Sequence, residues 1–185
     1  MSGLYKGRRL NVPKNNNIRP TTDKIRGAMF NMLDSRGAID GAYTLDAFCG
    51  SGALGLEALS RGAEFCRFMD KVRDSLSLAR ENAEMLGADE NSKFLLKDTM
   101  KIGCKPNSER SFDLIFLDPP YNKGLVEKSL GVLSDGGWIS KDAYIVCEME
   151  KRSDFSLPSA FELDDERVYG DIKVMILRYQ PIIPV

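Results

Sequence analysis

Apolar residues recur along this chain in two alternating periods, which predict a regular succession of helices and strands. Behind the polar run Thr21-Thr22-Asp23, which is typical of a helix start, apolar residues fall three and four positions apart: Ile25, Ala28, Met29, Met32 and Leu33. Short apolar stretches then alternate with longer stretches of helical period. The predicted strands are 43–48, 65–69, 93–96, 112–117 and 144–147, and the helices after the entry helix are 53–61, 72–86 and 125–133.

The end of the chain has a different pattern. Two β-like stretches, 161–168 and 172–179, lie on either side of Tyr169-Gly170-Asp171, which is a hairpin signal. Together these patterns predict an α/β fold with a doubly wound, Rossmann-like sheet that is mostly parallel and ends in an antiparallel C-terminal hairpin. We expect the one antiparallel strand at the sheet edge. Ligands of such sheets bind beyond the carboxyl ends of the strands, so the loops after the first four strands should carry the chemistry.

The 185 residues predict effectively one domain, in which charge is unevenly distributed. Residues 1–36, a basic N-terminal arm with the entry helix, carry eight Lys and Arg against two Asp and Glu, whereas residues 37–185 carry 18 against 25. The arm therefore suits contact with a polyanion, but a solvated tail would look the same.

Residue usage excludes several kinds of site. The chain has no histidine, and its four cysteines are scattered, which argues against the usual zinc sites and against His-based nucleophilic triads. We expect no metal. The first ten residues are polar and basic, without the apolar run of a secretion signal or membrane span, so we expect a cytoplasmic protein without a membrane partner.

A glycine loop, Asp46 to Gly55, follows the first predicted strand and opens a helix, which suits a nucleotide-like cofactor. An acidic residue at the strand end would repel a pyrophosphate but would attract an ammonium or a sulfonium, which favours S-adenosylmethionine over NAD. The predicted cofactor-binding residues of this loop are Asp46, Phe48, Gly50, Ser51, Gly52 and Gly55.

Two further carboxylates follow strand ends. Asp70, after the second strand, could accept hydrogen bonds from both ribose hydroxyls of a nucleoside, although it could equally initiate the next helix. Asp98, after the third strand, could accept from the adenine amino group or could cap its own loop. We predict both as cofactor contacts.

The motif Asp118-Pro119-Pro120-Tyr121, hereafter the proline motif, follows the fourth predicted strand and carries the predicted catalytic residues. Two prolines fix two φ angles and remove two N–H donors, so carbonyl acceptors remain at a rigid turn. Acceptors at Asp118 and Pro119 would hold the hydrogens of an exocyclic amine and direct its lone pair at a methyl donor. Tyr121 offers an aromatic face on which a base can stack. A Pro-rich turn without function is the alternative.

The glycine loop and the proline motif resemble those of class I amino-methyltransferases with an (Asp/Asn/Ser)-Pro-Pro-(Tyr/Phe) signature. The N-terminal region is similar to the opening of the bacterial small-subunit ribosomal RNA guanine-N2 methyltransferases of the RsmD type, with the likeness continuing through 45–63 and 113–121. It is carried by Gly7-Arg8-Arg9-Leu10, Ile18-Arg19-Pro20-Thr21-Thr22-Asp23-Lys24-Ile25-Arg26 and Met29-Phe30-Asn31-Met32-Leu33. Lys24, where this family often has Arg, and Gly27, within the entry helix, depart from the pattern.

This resemblance implies transfer of a methyl group from S-adenosylmethionine to the N2 amine of one guanine in 16S ribosomal RNA, on an assembled or assembling small subunit. It also implies that Arg19, Pro20, Thr21 and Thr22 lie near the methionine end of the cofactor or the entry for RNA. A helix start is the alternative role of these residues, and the two roles are compatible. We predict RNA contacts at Lys6, Arg8, Arg9 and Arg19, and a monomer.

Three other functions stay open on the sequence. The proline motif accepts any exocyclic amine, so a DNA adenine-N6 or cytosine-N4 methyltransferase is the nearest alternative, although the chain has no additional region for reading a DNA groove. A nucleotide-binding protein without catalysis and a dinucleotide oxidoreductase are the others.

Overall fold

A computed structural model describes residues 1–13, 23–121 and 124–181. The described part contains seven strands, four α-helices and three short 3-10 helices. The strands are β1 (Tyr43–Asp46), β2 (Phe65–Asp70), β3 (Ser92–Leu96), β4 (Phe112–Leu117), β5 (Ile139–Glu150), β6 (Phe161–Tyr169) and β7 (Ile172–Tyr179). The helices are α1 (Asp23–Asp34), α2 (Ala53–Ser60), α3 (Arg73–Leu86) and α4 (Leu125–Asp135), and the 3-10 helices are Gly3–Tyr5, Asp89–Asn91 and Thr99–Lys101.

The strands form one sheet in the order β3-β2-β1-β4-β5-β7-β6. The first five strands pair in parallel, and β7 runs antiparallel to both β5 and β6. The predicted fold is therefore confirmed: a Rossmann-like, mostly parallel sheet with an antiparallel C-terminal hairpin. Strand order reverses between β1 and β4, so the loops after these two strands flank the crevice where ligands of doubly wound sheets bind.

The expected position of the antiparallel strand is wrong. β7 lies one place inside the sheet edge, and β6 is the edge strand. The residue types explain the order, because five of the first six residues of β7 are buried and apolar, whereas six of the nine residues of β6 are exposed and five of the nine are charged. A strand that is apolar on both faces is buried inside the sheet, with a neighbouring strand on each side. A charged strand tolerates the open edge of the sheet, where its backbone groups are unpaired on one side.

Strand β5 is longer than the predicted 144–147. Its pairing with β4 is irregular, since Phe112 lies opposite Ile139 and Leu114 opposite Tyr144. Asp142, in this irregular part, has a φ of 63°, and Lys141 and Asp142 are exposed. These polar residues interrupt the apolar pattern, which explains the short prediction.

The core lies on both faces of the sheet. Alternate strand residues such as Phe68 and Phe116 pack with α1, α2 and α3, and the intervening residues such as Ile115 and Leu117 pack with α4. Helix α3 ends as predicted at Gly87, whose φ of 70° is left-handed. Within the described ranges, no helix combines the length and apolar character that crossing a membrane requires.

Residues 1–13 of the arm are docked on the body. The backbone N–H of Ser2 donates to the buried carboxylate of Glu57 at 3.1 Å, and that of Tyr5 donates to the Ser60 hydroxyl at 2.8 Å. Arg8 reaches the carbonyl of Met85 at 2.8 Å. Helices α2 and α3 thus hold this part of the arm, which excludes the solvated-tail interpretation for these residues.

Candidate active site

The glycine loop is held by two of the predicted carboxylates. Asp46, at the end of β1, is 2 % exposed, and its Oδ2 accepts from the N–H of Gly55 at 2.9 Å. Asp70, at the end of β2, accepts from the N–H of Gly50 at 3.1 Å through Oδ2. The ends of two neighbouring parallel strands therefore fix the middle and the end of the loop.

Two glycines of the loop are required by geometry. Gly52, at the start of α2, has a φ of 80°, which disfavours any residue with a side chain. A Cβ built on Gly55 would lie 2.4 Å from a ring carbon of Phe68 and 2.5 Å from the sulfur of Cys66. Helix α2 can therefore approach β2 only because position 55 has no side chain.

The ionisation of Asp46 depends on its burial. Desolvation is the main cause of a pKa of about 7 for the Asp46 carboxyl; the hydrogen bond from Gly55 opposes it, and the negative charge of Asp70 adds to it. A cation placed beside this carboxylate would offset the desolvation. The site thus favours a positively charged ligand group over an anion.

The other predicted cofactor residues occupy the same end of the sheet. Ser51 and Phe48 are half-buried within the loop, and the hydroxyl of Thr99 donates to the carbonyl of Ala47 at 2.7 Å, which ties the loop after β3 to the glycine loop. Asp98 caps the 3-10 helix beside Thr99 by accepting from the N–H of Met100 at 3.0 Å.

Asp70 and Asp98 thus both have the local role that the sequence left as an alternative. Asp70 Oδ1 accepts from the N–H of Val72 at 2.9 Å, directly before α3. A carboxylate has about four acceptor positions, so such hydrogen bonds are compatible with a ligand contact. Their contacts with a cofactor stay predictions.

The proline motif begins beside the glycine loop. Phe116 of β4 pairs with Asp46 of β1, and the N–H of Ala47 donates to the carbonyl of Phe116 at 3.1 Å. Asp118 follows two residues after Phe116, at the carboxyl end of β4. The register thus brings the predicted amine acceptors next to the predicted cofactor loop.

A cavity of about 290 Å³ opens at the proline motif. Pro119, Pro120 and Tyr121 form one wall, the start of α4 forms another, and the end of β5 with the following loop closes it. Its size is near the lower limit of about 300 Å³ for small-molecule sites, which suits one planar ring system. Its other lining residues include Glu148, Arg152 and Phe155.

The sequence reasoning missed Glu148. This residue is 3 % exposed, and its Oε1 accepts from the Tyr121 hydroxyl at 3.0 Å. The available signal was a glutamate directly after the apolar stretch Tyr144 to Cys147, because a charged residue inside a buried strand is rare unless it has a specific role.

Asn82, on α3, was also missed. Its buried amide nitrogen donates to the carbonyls of Asn11 and Ser51 at 3.0 and 2.9 Å, and its oxygen accepts from the N–H of Asn11 at 2.8 Å. One side chain thus joins the arm to the glycine loop. The signal was an amide on the apolar face of a predicted amphipathic helix.

The predicted RNA-contacting residues are only partly described. Lys6, Arg8 and Arg9 are exposed on the docked part of the arm. Arg19, Thr21 and Thr22 lie outside the described residues, so their predicted positions are not tested. Among the described ranges, no group of three or more Cys, Asp and Glu residues is arranged to hold a metal ion.

Comparisons with known proteins show which family and which solved structures the chain is similar to. The family model described as "Conserved hypothetical protein 95" matches residues 1–178. The ribosomal RNA small subunit methyltransferase D of Escherichia coli is 34 % identical over 173 residues, which cover 93 % of this chain and 85 % of that protein. A solved structure described as "Putative methyltransferase yhhF from Escherichia coli" is 32 % identical, with a TM-score of 0.83 over 97 % of this chain and 96 % of that one.

A more distant structure shares the fold alone. It is an RNA methyltransferase from Salinibacter ruber in complex with S-adenosyl-L-homocysteine, 19 % identical, with a TM-score of 0.66 over 90 % of this chain and 97 % of that one.

Proposed function

Because the chain belongs to the RsmD family, whose model is described as conserved hypothetical protein 95, we propose that it methylates the exocyclic N2 amine of a guanine in small-subunit (16S) ribosomal RNA. The methyl donor is S-adenosylmethionine. The observation that carries this proposal is the pairing of Asp46 with Phe116. It brings a loop suited to a cationic cofactor next to a motif suited to an amine.

The glycine loop provides the cofactor site. Asp46 binds the ammonium of the methionine moiety, which is consistent with a buried carboxylate whose pKa is raised in the absence of a cation. Backbone N–H groups at the start of α2 bind the carboxylate of that moiety. The remaining contacts are Asp70 with the ribose hydroxyls, Asp98 with the adenine amine, and Phe48, Ser51, Thr21 and Thr22 around the cofactor.

The proline motif orients the amine. The carboxylate of Asp118 and the carbonyl of Pro119 hold the two amine hydrogens, so the nitrogen lone pair points at the methyl group. The bound donor supplies an electrophilic methyl on a sulfonium, and the N–C bond forms as the S–C bond breaks. Asp118 stabilises the positive charge that develops on nitrogen, and the proton is then lost to solvent. Tyr121 stacks on the target base, which is worth roughly 1–3 kcal/mol.

The basic arm provides the RNA contacts. Lys6, Arg8 and Arg9 are exposed on the part of the arm that Asn82 joins to the glycine loop. The proposal adds Arg19, which lies outside the described residues, as a further RNA contact. Positive charge at one edge of an otherwise acidic protein suits contact with a ribosomal particle. The protein acts as a monomer in which residues 1–36 and 37–185 form effectively one domain.

A methylation assay tests the substrate. The protein is incubated with labelled S-adenosylmethionine and with undermodified small subunits, protein-free ribosomal RNA or DNA, and the product nucleosides are identified by mass spectrometry. We expect N2-methylguanosine in the small-subunit RNA. Incorporation only into DNA would replace the proposal by the DNA alternative, and preferential binding of NAD would favour the oxidoreductase alternative.

Substitution of the catalytic carboxylate tests the chemistry. We expect Asp118→Ala to lower the rate of transfer by roughly 100- to 1000-fold, as for loss of one charge-stabilising group, with cofactor affinity largely unchanged. Asp89→Ala is the matched control. Asp89 is exposed and precedes the amino end of β3, whereas Asp118 follows the carboxyl end of β4, so the two residues lie at opposite ends of the parallel strands. Equal rates in both variants would contradict the assignment of Asp118.

A further inference from the structure

Glu148 lies beside the proline motif. Leu117 of β4 pairs in parallel with Cys147 of β5, so Asp118 and Glu148 are the next residues on two neighbouring strands. Glu148 is 3 % exposed and lines the cavity that Pro119 and Tyr121 also line. The register therefore places two acidic residues at the ends of neighbouring strands, beside the cavity where the target base is expected.

Burial of a carboxylate at this position has a cost in free energy, which hydrogen-bond donors can offset. The Tyr121 hydroxyl is one donor, at 3.0 Å from Oε1. A carboxylate accepts about four hydrogen bonds, so this contact is compatible with a further donor from a ligand in the cavity. Among the cavity-lining residues, Arg152 lies in the loop directly after β5.

The three bases with exocyclic amines differ in the atom next to the amine. In guanine the neighbouring ring nitrogen N1 carries a hydrogen, whereas adenine N1 and cytosine N3 present a lone pair there. A base flipped into a pocket is read along this Watson–Crick edge. A carboxylate beside the amine site would accept from guanine N1–H and would repel the lone pair of adenine or cytosine.

We propose that Glu148 is the residue that selects guanine, by accepting the N1–H of the target base while the proline motif holds its N2 amine. Arg152 supplies a donor for the neighbouring O6, and Tyr121 and Phe155 supply aromatic faces at the same cavity. This assignment rests on the proposed function, because it concerns the same site. It explains base selection that the proline motif alone does not provide.

A purely structural role for Glu148 is the competing interpretation. In that case, Glu148 would only orient Tyr121 through their hydrogen bond, and its loss would slow transfer to every base equally. The two roles are separated by a base that keeps the N2 amine and lacks the N1 hydrogen. 2-Aminopurine has this property, but it also lacks O6, the proposed acceptor from Arg152, so the loss of preference in a Glu148 variant is what assigns the effect to the N1 hydrogen.

The first experiment uses the wild-type protein. The methylated guanine is mapped in the wild-type product, and small-subunit RNA carrying 2-aminopurine at that position is reconstituted into subunits. We expect transfer to 2-aminopurine to be slower than transfer to guanine by roughly 10- to 150-fold, the value of a hydrogen bond to a charged group. Rates within threefold of each other would overturn the assignment even if no variant folds.

The second experiment compares variants on both substrates. In Glu148→Gln, an amide can either accept or donate, so we expect the preference for guanine over 2-aminopurine to fall at least about tenfold. Tyr121→Phe, which removes the hydroxyl that donates to Glu148, should slow both reactions and keep the preference. Glu166→Gln, on the exposed face of edge strand β6, should change neither rate.

The outcomes separate the two proposals. Equal slowing of both substrates by Glu148→Gln would overturn the selection role while leaving the proposed function intact. Failure of the wild-type protein to methylate guanine in any subunit preparation would contradict the proposed function and this assignment with it.

Discussion

Asp46→Asn offers a quantitative test of the cofactor site, because the variant removes one charge and keeps an oxygen that can accept from Gly55. Burial raises the pKa of Asp46 to about 7 in the ligand-free structure. An ammonium beside the carboxylate would lower that pKa, so only the ionised form binds the cofactor tightly. We therefore expect cofactor affinity of the wild-type protein to fall as the pH drops below about 7.

The magnitude follows from that pKa. About half of the Asp46 carboxyls are protonated at pH 7, and each pH unit below that value lowers the affinity by about tenfold. The Kd should therefore rise by roughly 100-fold between pH 8 and pH 5. At pH 8, Asp46→Asn should bind more weakly than wild type by roughly 10- to 150-fold, since a charged acceptor has been lost.

Isothermal calorimetry with S-adenosylhomocysteine measures both quantities. Titrations in two buffers with different ionisation enthalpies should show release of about half a proton per ligand at pH 7 in the wild-type protein. The same titrations with Asp46→Asn are the control for the wild-type protein, because the variant keeps every other titrating group and binds the same ligand. If both proteins show the same pH dependence and the same proton release, the assigned role of Asp46 is wrong.

A second measurement needs no ligand. The folded-state pKa of Asp46 lies above its unfolded value of 3.8, so the folded protein binds more protons between these values. This contribution to the free energy of unfolding is therefore complete below about pH 4 and is lost as the pH rises through about 7. The loss is at most roughly 4 kcal/mol for a shift of about three pKa units. Urea denaturation across this pH range should show a smaller loss in Asp46→Asn.

Two further predictions concern packing around the same loop. Gly55→Ala should lower the free energy of unfolding by roughly 1–3 kcal/mol, because its Cβ would overlap the ring of Phe68. Gly131→Ala, within α4, should raise the free energy of unfolding by roughly 0.5–1 kcal/mol, because nothing lies within 4 Å of its Cβ. Urea denaturation measures both changes, and similar changes in the two variants would refute the packing argument. Asn82→Ala should lower the free energy of unfolding by roughly 1–3 kcal/mol and speed protease cleavage near Asn11, because backbone groups of Asn11 and Ser51 lose their hydrogen-bond partner. An unchanged rate of cleavage would contradict the link between the arm and the glycine loop.

Much of the fold was predictable because its signals are local. Strand 112–117 was predicted with its observed bounds, since five of its six residues are apolar. Helix α3 has a strong apolar period and ends at a left-handed glycine. Strand order is not a local property. The position of β7 inside the sheet depends on β6 being more polar than β7 and therefore better suited to the edge. This comparison between two strands cannot be made from either stretch of sequence alone.

The residues of the site also divide into those with a local sequence signal and those without one. The glycine loop and the proline motif were found because each is a short run of residues in a predicted position. Asp98 shows the limit of this approach, because its observed hydrogen bond caps a 3-10 helix that is too short to give an apolar period in the sequence. Glu148 and Asn82 were missed because each is a single residue in an otherwise regular element, and its partners are distant in the sequence.

Cofactor binding and recognition of the target base, which the reaction requires together, are assigned to the ends of different strands. The ends of β1 and β2 hold the glycine loop, whereas the ends of β4 and β5 hold the proline motif and Glu148. If this division is correct, Asp46→Asn changes cofactor affinity and leaves the preference for guanine over 2-aminopurine unchanged, and Glu148→Gln does the reverse. Because the two carboxylates lie on different strands and act on different ligands, their effects on the free energy of the transition state should add within about 0.5 kcal/mol in the double variant. A larger coupling would mean that the two tasks share a single structural element.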